Sequence, residues 1–131
     1  MDRNVETVRA LYAAVGDPAD DLRRFFTPDV IISEAPDLPY GGTFIGPGAL
    51  RPLVTRINGL ITATNVAVGQ FAVAENQVIA MLSFDVALPD GSARRQHVAE
   101  EFLFDGELIR QIRPFYYDTS LINRAAGLSA Q

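Results

Sequence analysis

Apolar positions along the first half of the chain recur every three or four residues. This spacing predicts a helix over residues 3–15 and another over about residues 48–60. Pro52 supports a start of the later helix near Gly48, because proline fits only the first turn of a helix. A short helix is predicted between these two, ended by Pro28. The apolar positions that the three helices would bury are Val5, Val8, Leu11, Tyr12, Val15, Leu22, Phe25, Phe26, Leu50, Leu53, Val54 and Ile57.

From Thr62 onward the apolar positions alternate with polar ones, which is typical of β-strands. The strongest of the turn signals between the strands is Asp105-Gly106, a hairpin dipeptide. A shorter strand is predicted over residues 30–34, followed by a loop rich in Pro and Gly over residues 35–42. The predicted long strands are residues 63–74, 77–88, 93–104 and 107–118, with a short helix over residues 119–126.

Helices with one strand among them, followed by a long antiparallel meander, indicate an α+β fold. A long sheet of this kind twists strongly and curls. Helices packed on its concave side would leave a conical cavity, with loops around the mouth. We therefore predict a cone-shaped barrel, in which a strongly curved antiparallel or mixed sheet wraps around three N-terminal helices. Residues 1–131 would form this single domain.

Composition and charge remove several classes of function. The net charge is -5 and no long basic run is present, so nucleic acid is not an expected partner. The chain has no cysteine, and His97 is its single histidine, which excludes thiolate chemistry and multi-histidine metal centres. We predict neither metal nor organic cofactor. The polar N-terminus and the lack of a long apolar run predict a cytoplasmic protein that does not contact a membrane.

Two carboxylates stand at positions where alternation predicts an apolar face. In the third long strand, Glu100 shares its face with Val98, Phe102 and Phe104. Glu34 ends the short first strand on the face of two β-branched residues. Burial raises a carboxyl pKa, and a second carboxylate nearby raises it further. The two glutamates are therefore predicted as catalytic residues that face a common cavity.

Aromatic residues supply the other predicted contacts with a ligand. Tyr12, Tyr40 and Tyr116 each carry a hydroxyl that can donate to a ligand oxygen. Phe84 and Phe102 are predicted to form part of the apolar wall. The alternative for Tyr12 is packing in the core, because it lies at helical spacing with apolar neighbours.

A structural role for the glutamates is also open at this stage. Arg9 or Arg113 could pair with one of them, while backbone donors satisfy the other. His97 belongs by parity to the face opposite Glu100, where it would meet solvent or a partner subunit.

Five stretches between residues 5 and 118 follow a pattern known from one superfamily. They are VGD (15–17), FFTPDV (25–30), LPYGGTFIG (38–46), FLFDG (102–106) and IRPFYYD (112–118). On these stretches the chain resembles the nuclear transport factor 2-like superfamily, and within it the ketosteroid isomerase-like and SnoaL-like (polyketide cyclase-type) proteins. The fold serves isomerases, cyclases, epoxide hydrolases, dehydratases and non-enzymatic binders, so the resemblance implies a fold more than an activity.

The resemblance also implies roles for the two glutamates. Glu34 matches the position of the isomerase base, and Glu100 matches that of the protonated acid that donates to the developing oxyanion. Both positions hold Asp in the ketosteroid isomerases, and Arg9 stands where those enzymes have a tyrosine. Similarity to the limonene-type epoxide hydrolases is weaker, because Pro114 stands about where their second Asp would be.

These observations predict cofactor-free acid-base chemistry on a small apolar, oxygenated ligand. Isomerisation, aldol-type cyclisation and dehydration remain open. The alternatives are a non-catalytic ligand-binding or dimerisation module, or an interaction adaptor of the same fold. A homodimer is predicted, since five apolar residues lie on the outer sheet face: Val66, Val68, Ile79, Met81 and Leu103.

Overall fold

A computed structural model describes residues 2–128, so Met1 and residues 129–131 of the predicted domain lie outside it. Six strands form one mixed sheet in the order β2-β1-β6-β5-β4-β3, in which only β1 and β6 run parallel. The elements in chain order are α1 (Arg3–Val15), a 3₁₀ turn (Arg23–Phe25), β1 (Phe26–Glu34), β2 (Gly42–Ile45), α2 (Leu50–Leu60), β3 (Ala63–Ala74), β4 (Gln77–Ala87), β5 (Ala93–Asp105), β6 (Leu108–Tyr116) and α3 (Thr119–Ala125).

The predicted α+β class is confirmed, with three α-helices and a six-stranded sheet. The sheet is open, because β2 and β3 are its two edges, and its shape is consistent with a cone. The core between helices and sheet includes Val8 of α1, Ile32 of β1, and Phe102 and Phe104 of β5, each almost fully buried. Within residues 2–128, none of the helices combines the length and the hydrophobicity needed to cross a membrane.

The largest differences from the prediction lie between α1 and α2. The short second helix is a single 3₁₀ turn, and β1 begins at Phe26 instead of Val30. Pro28 lies inside β1, in a segment that β2 does not reach and where pairing with β6 is irregular. Proline is tolerated in a strand at such a place, because no ladder hydrogen bond is lost. The sequence pattern also missed β2, since Gly42–Ile45 has only four residues.

Strand β3 is a long edge strand with little cover on either face. Among its exposed apolar residues, Val66 is 62% exposed and Val68 41%. The register between β3 and β4 shifts twice, and Asn65 takes a left-handed φ of 52° near the first shift. Bulges of this kind bend and twist an edge strand.

Candidate ligand-binding and catalytic site

An inner chamber of about 170 Å³ lies between the sheet and the helices α1 and α2. Apolar side chains from α1, α2, β4, β5 and β6 supply most of its wall. Among residues 2–128, no Arg or His lines it, so its two glutamates face the cavity without a compensating cation from this part of the chain. The residues that carry its chemistry are Tyr12, Glu34, Phe84, Glu100, Phe102 and Tyr116.

Glu34 reaches the inner chamber from the last position of β1. The pairing of Glu34 with Gly42 of β2 fixes its backbone there. Glu34 is only 7% exposed. Among residues 2–128, its Oε1 atom has no hydrogen-bond partner. Burial, and secondly the negative charge of Glu100, raise the Glu34 pKa to about 8 from its ordinary value of 4.5. Glu34 is therefore mostly protonated at neutral pH.

Glu100 enters the chamber from the middle of β5, between Ala80 of β4 and Pro114 of β6. The Tyr12 hydroxyl of α1 donates a hydrogen bond of 2.6 Å to Glu100 Oε1. The Tyr12 ring also packs edge-on against Phe102, with ring centroids 5.9 Å apart. Burial raises the Glu100 pKa, while the hydrogen bond from Tyr12 opposes that rise. Burial raises the Tyr12 pKa as well, so its hydroxyl stays protonated and remains a donor.

The two carboxyls differ in what surrounds them. The Tyr12 hydroxyl donates to Glu100 and stabilises its charged form. Among residues 2–128, Oε1 of Glu34 accepts no hydrogen bond, so its charged form lacks this stabilisation. Two nearby buried carboxyls titrate as a coupled pair, in which the charge of one discourages ionisation of the other. We infer from the hydrogen bond of Tyr12 that Glu100 is the carboxyl that ionises more readily, while Glu34 keeps its proton at neutral pH.

Tyr40 and Tyr116 form a second hydroxyl pair at the chamber. Their oxygens are 2.7 Å apart, and burial raises the pKa of both phenols. Tyr116 lines the inner chamber, whereas Tyr40 is 1% exposed and lies behind it, outside the wall. Tyr40 therefore contacts Tyr116 of the chamber wall, and the direct ligand contact predicted for Tyr40 stays a prediction.

Neither Arg9 nor Arg113 forms an ion pair with Glu34 or Glu100 in residues 2–128. Arg9 instead places its guanidinium 4.5 Å from the ring centroid of Phe71. Arg113 is exposed and lies outside the inner chamber. His97 is exposed and packs against Tyr117, as parity predicted.

Several wall residues escaped the sequence analysis. Pro114 of β6 lies opposite Glu100 and lines the chamber, although the prediction gave it no part in the site. The proline itself could have indicated this place, because a proline inside a strand marks a point where the hydrogen-bond ladder is interrupted. The contribution of α2 carried no signal beyond its apolar stripe. Its wall residues are Leu50, Leu53, Val54 and Ile57.

A second cavity of about 450 Å³, the outer groove, adjoins the inner chamber. It opens between the ends of β1 and β6 and holds one cationic side chain, that of Arg113. Glu34, Pro114 and Tyr116 line both cavities. These three residues therefore form a wall common to the chamber and the groove. The polar residues of the groove, besides this wall and Arg113, are Ser33, Thr43 and Thr119.

No protein-family model and no curated protein matches the sequence. Among solved structures, an NTF2-like protein of unknown function from Burkholderia pseudomallei superposes with a TM-score of 0.82 at 21% identity, over 96% of this chain and 98% of that chain. An NTF2-like protein from Burkholderia xenovorans gives a TM-score of 0.77 at 18% identity, over 95% of both chains. A ketosteroid isomerase-like protein from Catenulispora acidiphila, crystallised with trimethylamine, gives 0.73 at 20% identity, over 95% of this chain and 94% of that chain. The predicted resemblance is thus confirmed at the level of the fold.

Proposed function

We propose that this chain of NTF2-like, ketosteroid isomerase-like fold catalyses proton transfer next to the carbonyl of a small apolar ligand. The observation that carries the proposal is the pair of glutamates, Glu34 and Glu100, on the wall of one apolar chamber. A buried carboxylate without a cationic partner destabilises the folded protein. Two such carboxyls in one chamber therefore favour a functional role over a structural one. Pairs of acids with separated pKa values are typical of acid-base sites.

The chamber volume limits the ligand that this proposal allows. An apolar cavity of about 150 Å³ in another protein holds benzene. The inner chamber, at about 170 Å³, suits a reacting group of similar size. We therefore propose a cyclic or short-chain ketone or enone as the reacting part of the substrate, and a steroid nucleus is too large for the chamber alone.

The surroundings of the carboxyls favour roles opposite to those that the resemblance implies. Glu100, with its charged form stabilised by Tyr12, is the proposed base that removes the proton next to the carbonyl. Glu34 retains its proton at neutral pH and is the proposed donor to the developing enolate oxygen. The Tyr116 hydroxyl, held by Tyr40, is a second donor at the same wall.

Hydrogen-deuterium exchange tests the proposal without knowledge of the natural substrate. Isomerisation, aldol-type cyclisation and dehydration all begin with removal of a proton next to a carbonyl. Cyclohexanone in D₂O with the wild-type protein should lose its α-proton NMR signal faster than in buffer alone. No acceleration with cyclohexanone, cyclohexenone or cyclopentanone would contradict the proposal.

Tyr12→Phe is expected to shift the pH profile of this exchange upward. The variant removes the hydrogen bond to Glu100 Oε1, so the carboxylate form loses a donor worth about 1.5–3 kcal/mol. The pH of half-maximal exchange should rise by about 1–2 units. Rates measured between pH 5 and 10 would check this. An unchanged profile would show that Tyr12 does not tune the base.

A second candidate function is binding of a small organic cation without catalysis. The chamber wall combines two carboxyls with the rings of Tyr12, Phe84, Phe102 and Tyr116, and it has no basic residue. Aromatic faces and carboxylates attract ammonium groups. The Catenulispora acidiphila protein of the same fold was crystallised with trimethylamine. Tight binding of trimethylamine in calorimetry, together with no exchange on any ketone, would favour this candidate.

We also propose that the chain forms a homodimer through the outer sheet face. Val66 and Met81 are 62% and 47% exposed, and exposed apolar residues of this kind are typical of an interface. Val68 pairs with Leu82 of the chamber wall, so it lies on the inner face and not on the outer face predicted for it. Light scattering at micromolar concentration should give twice the chain mass of 14.3 kDa. Val66→Asp combined with Met81→Asp should return a monomer. A monomeric wild type would contradict this proposal.

A further inference from the structure

The outer groove exists because two neighbouring strands part. Pairing between β1 and β6 ends at Ile32 and Ile112. Beyond this point β1 stays with β2 through Ser33 and Glu34, whereas β6 stays with β5. Pro114 follows Ile112 closely and has no backbone N–H, so it cannot extend the ladder toward β1. The gap therefore follows from the sequence of β6.

The groove differs from the chamber in its polarity. Its charged residues are Glu34, at the wall shared with the chamber, and Arg113. Arg113 forms no ion pair with a carboxylate of residues 2–128, although Glu101 lies opposite it in the sheet and bonds to Gln77 instead. At the rim, the Thr119 hydroxyl donates to Asp37 at 2.7 Å. The Arg113 guanidinium, exposed and without an ion-pair partner in the described part of the chain, is thus available in a groove that also has hydroxyl groups.

Both cavities have Glu34 in their walls. Because Glu34, Pro114 and Tyr116 line both, the chamber and the groove are adjacent at the point where β1 and β6 part. At neutral pH Glu34 is mostly uncharged, so it does not repel an anionic group that lies beside it.

We propose that the outer groove is a second subsite, in which Arg113 binds the carboxylate of an elongated ligand whose apolar end occupies the inner chamber. A guanidinium matches a carboxylate with two parallel hydrogen bonds. Because Arg113 is the basic residue among the groove residues described, the groove suits a ligand group with a single negative charge. This inference rests on the chamber being the ligand site of the proposed function, but it does not require turnover.

A matched pair of probes tests the subsite. 3-Phenylpropanoate carries a benzene ring for the chamber and a carboxylate on a short chain, and 3-phenylpropanamide has the same shape without charge. Calorimetric titration of the wild type at pH 6.5 should show the carboxylate bound about ten- to a hundredfold more tightly than the amide. Arg113→Gln should abolish this preference and leave the affinity for the amide unchanged.

Arg110→Gln is the control, since Arg110 is an exposed arginine of the same strand that lines neither cavity. It should retain the preference for the carboxylate. A preference that survives in Arg113→Gln, or that both variants weaken equally, overturns the subsite. Equal wild-type affinity for the two probes overturns the subsite but leaves the chamber as a ligand site. Failure of both probes to bind overturns the subsite and the chamber together.

Discussion

Glu100→Gln is expected to lower the rate of ketone α-proton exchange by about 10²- to 10⁴-fold at pH 8. The amide keeps the size of the side chain but cannot accept a proton from carbon. Glu34→Gln should lower the exchange rate less, by about tenfold, because the amide N–H₂ can still donate to an enolate oxygen. NMR of cyclohexanone in D₂O would measure both variants against the wild type.

Glu101→Gln supplies the control for these two variants. Glu101 neighbours Glu100 but lies on the opposite face of β5, where it accepts a hydrogen bond from Gln77. The Glu101→Gln variant should catalyse α-proton exchange at the wild-type rate. A larger loss in Glu34→Gln than in Glu100→Gln would reverse the assignment and make Glu34 the base. Equal rates in all four proteins would exclude both glutamates from proton transfer.

Glu34→Gln is also expected to be more stable than the wild type at alkaline pH. The Glu34 pKa is about 8 in the folded protein and 4.5 as its ordinary value. Between these values the unfolded chain ionises while the folded protein must retain the proton, so wild-type stability falls as the pH rises. At 1.36 kcal/mol per pKa unit, the wild-type free energy of unfolding is about 5 kcal/mol lower above pH 8 than it is below pH 4 on account of Glu34.

Urea unfolding at pH 4, 6, 8 and 9 would measure this difference. The advantage of Glu34→Gln should be near zero at pH 4, grow through pH 6 and 8, and level off by pH 9. Glu101→Gln should follow the wild-type curve, because this variant leaves the buried Glu34 in place. Parallel curves for the wild type and Glu34→Gln would show that Glu34 has an ordinary pKa.

Local pattern was sufficient to predict α1, the four long strands and the inward-facing glutamates, but not β2 or the start of β1. The bounds of α1 and β3 are those that periodicity predicts. Alternation in β5 places Glu100 beside Phe102 on the inner face, and parity in β1 does the same for Glu34. Both inferences depend only on the period of two along a strand, which holds wherever a strand forms.

Long-range contacts were not predictable in the same way. The hydrogen bond from Tyr12 to Glu100 joins residues 88 positions apart, and that between Tyr40 and Tyr116 joins residues 76 apart. Helical spacing places Tyr12 on an apolar face but does not say which strand that face meets. The proposed exchange of acid and base roles rests on the contact between Tyr12 and Glu100, which the sequence alone does not reveal.

Strand β3 has a consequence for how copies of this chain can associate. A straight uncovered edge offers a row of free backbone groups on which another strand can add, and repeated addition leads to fibres. The two register shifts in β3 and the left-handed Asn65 break that row into short segments. Addition of another strand along the β3 edge is therefore disfavoured, which favours the closed, twofold pairing proposed above over growth from this edge.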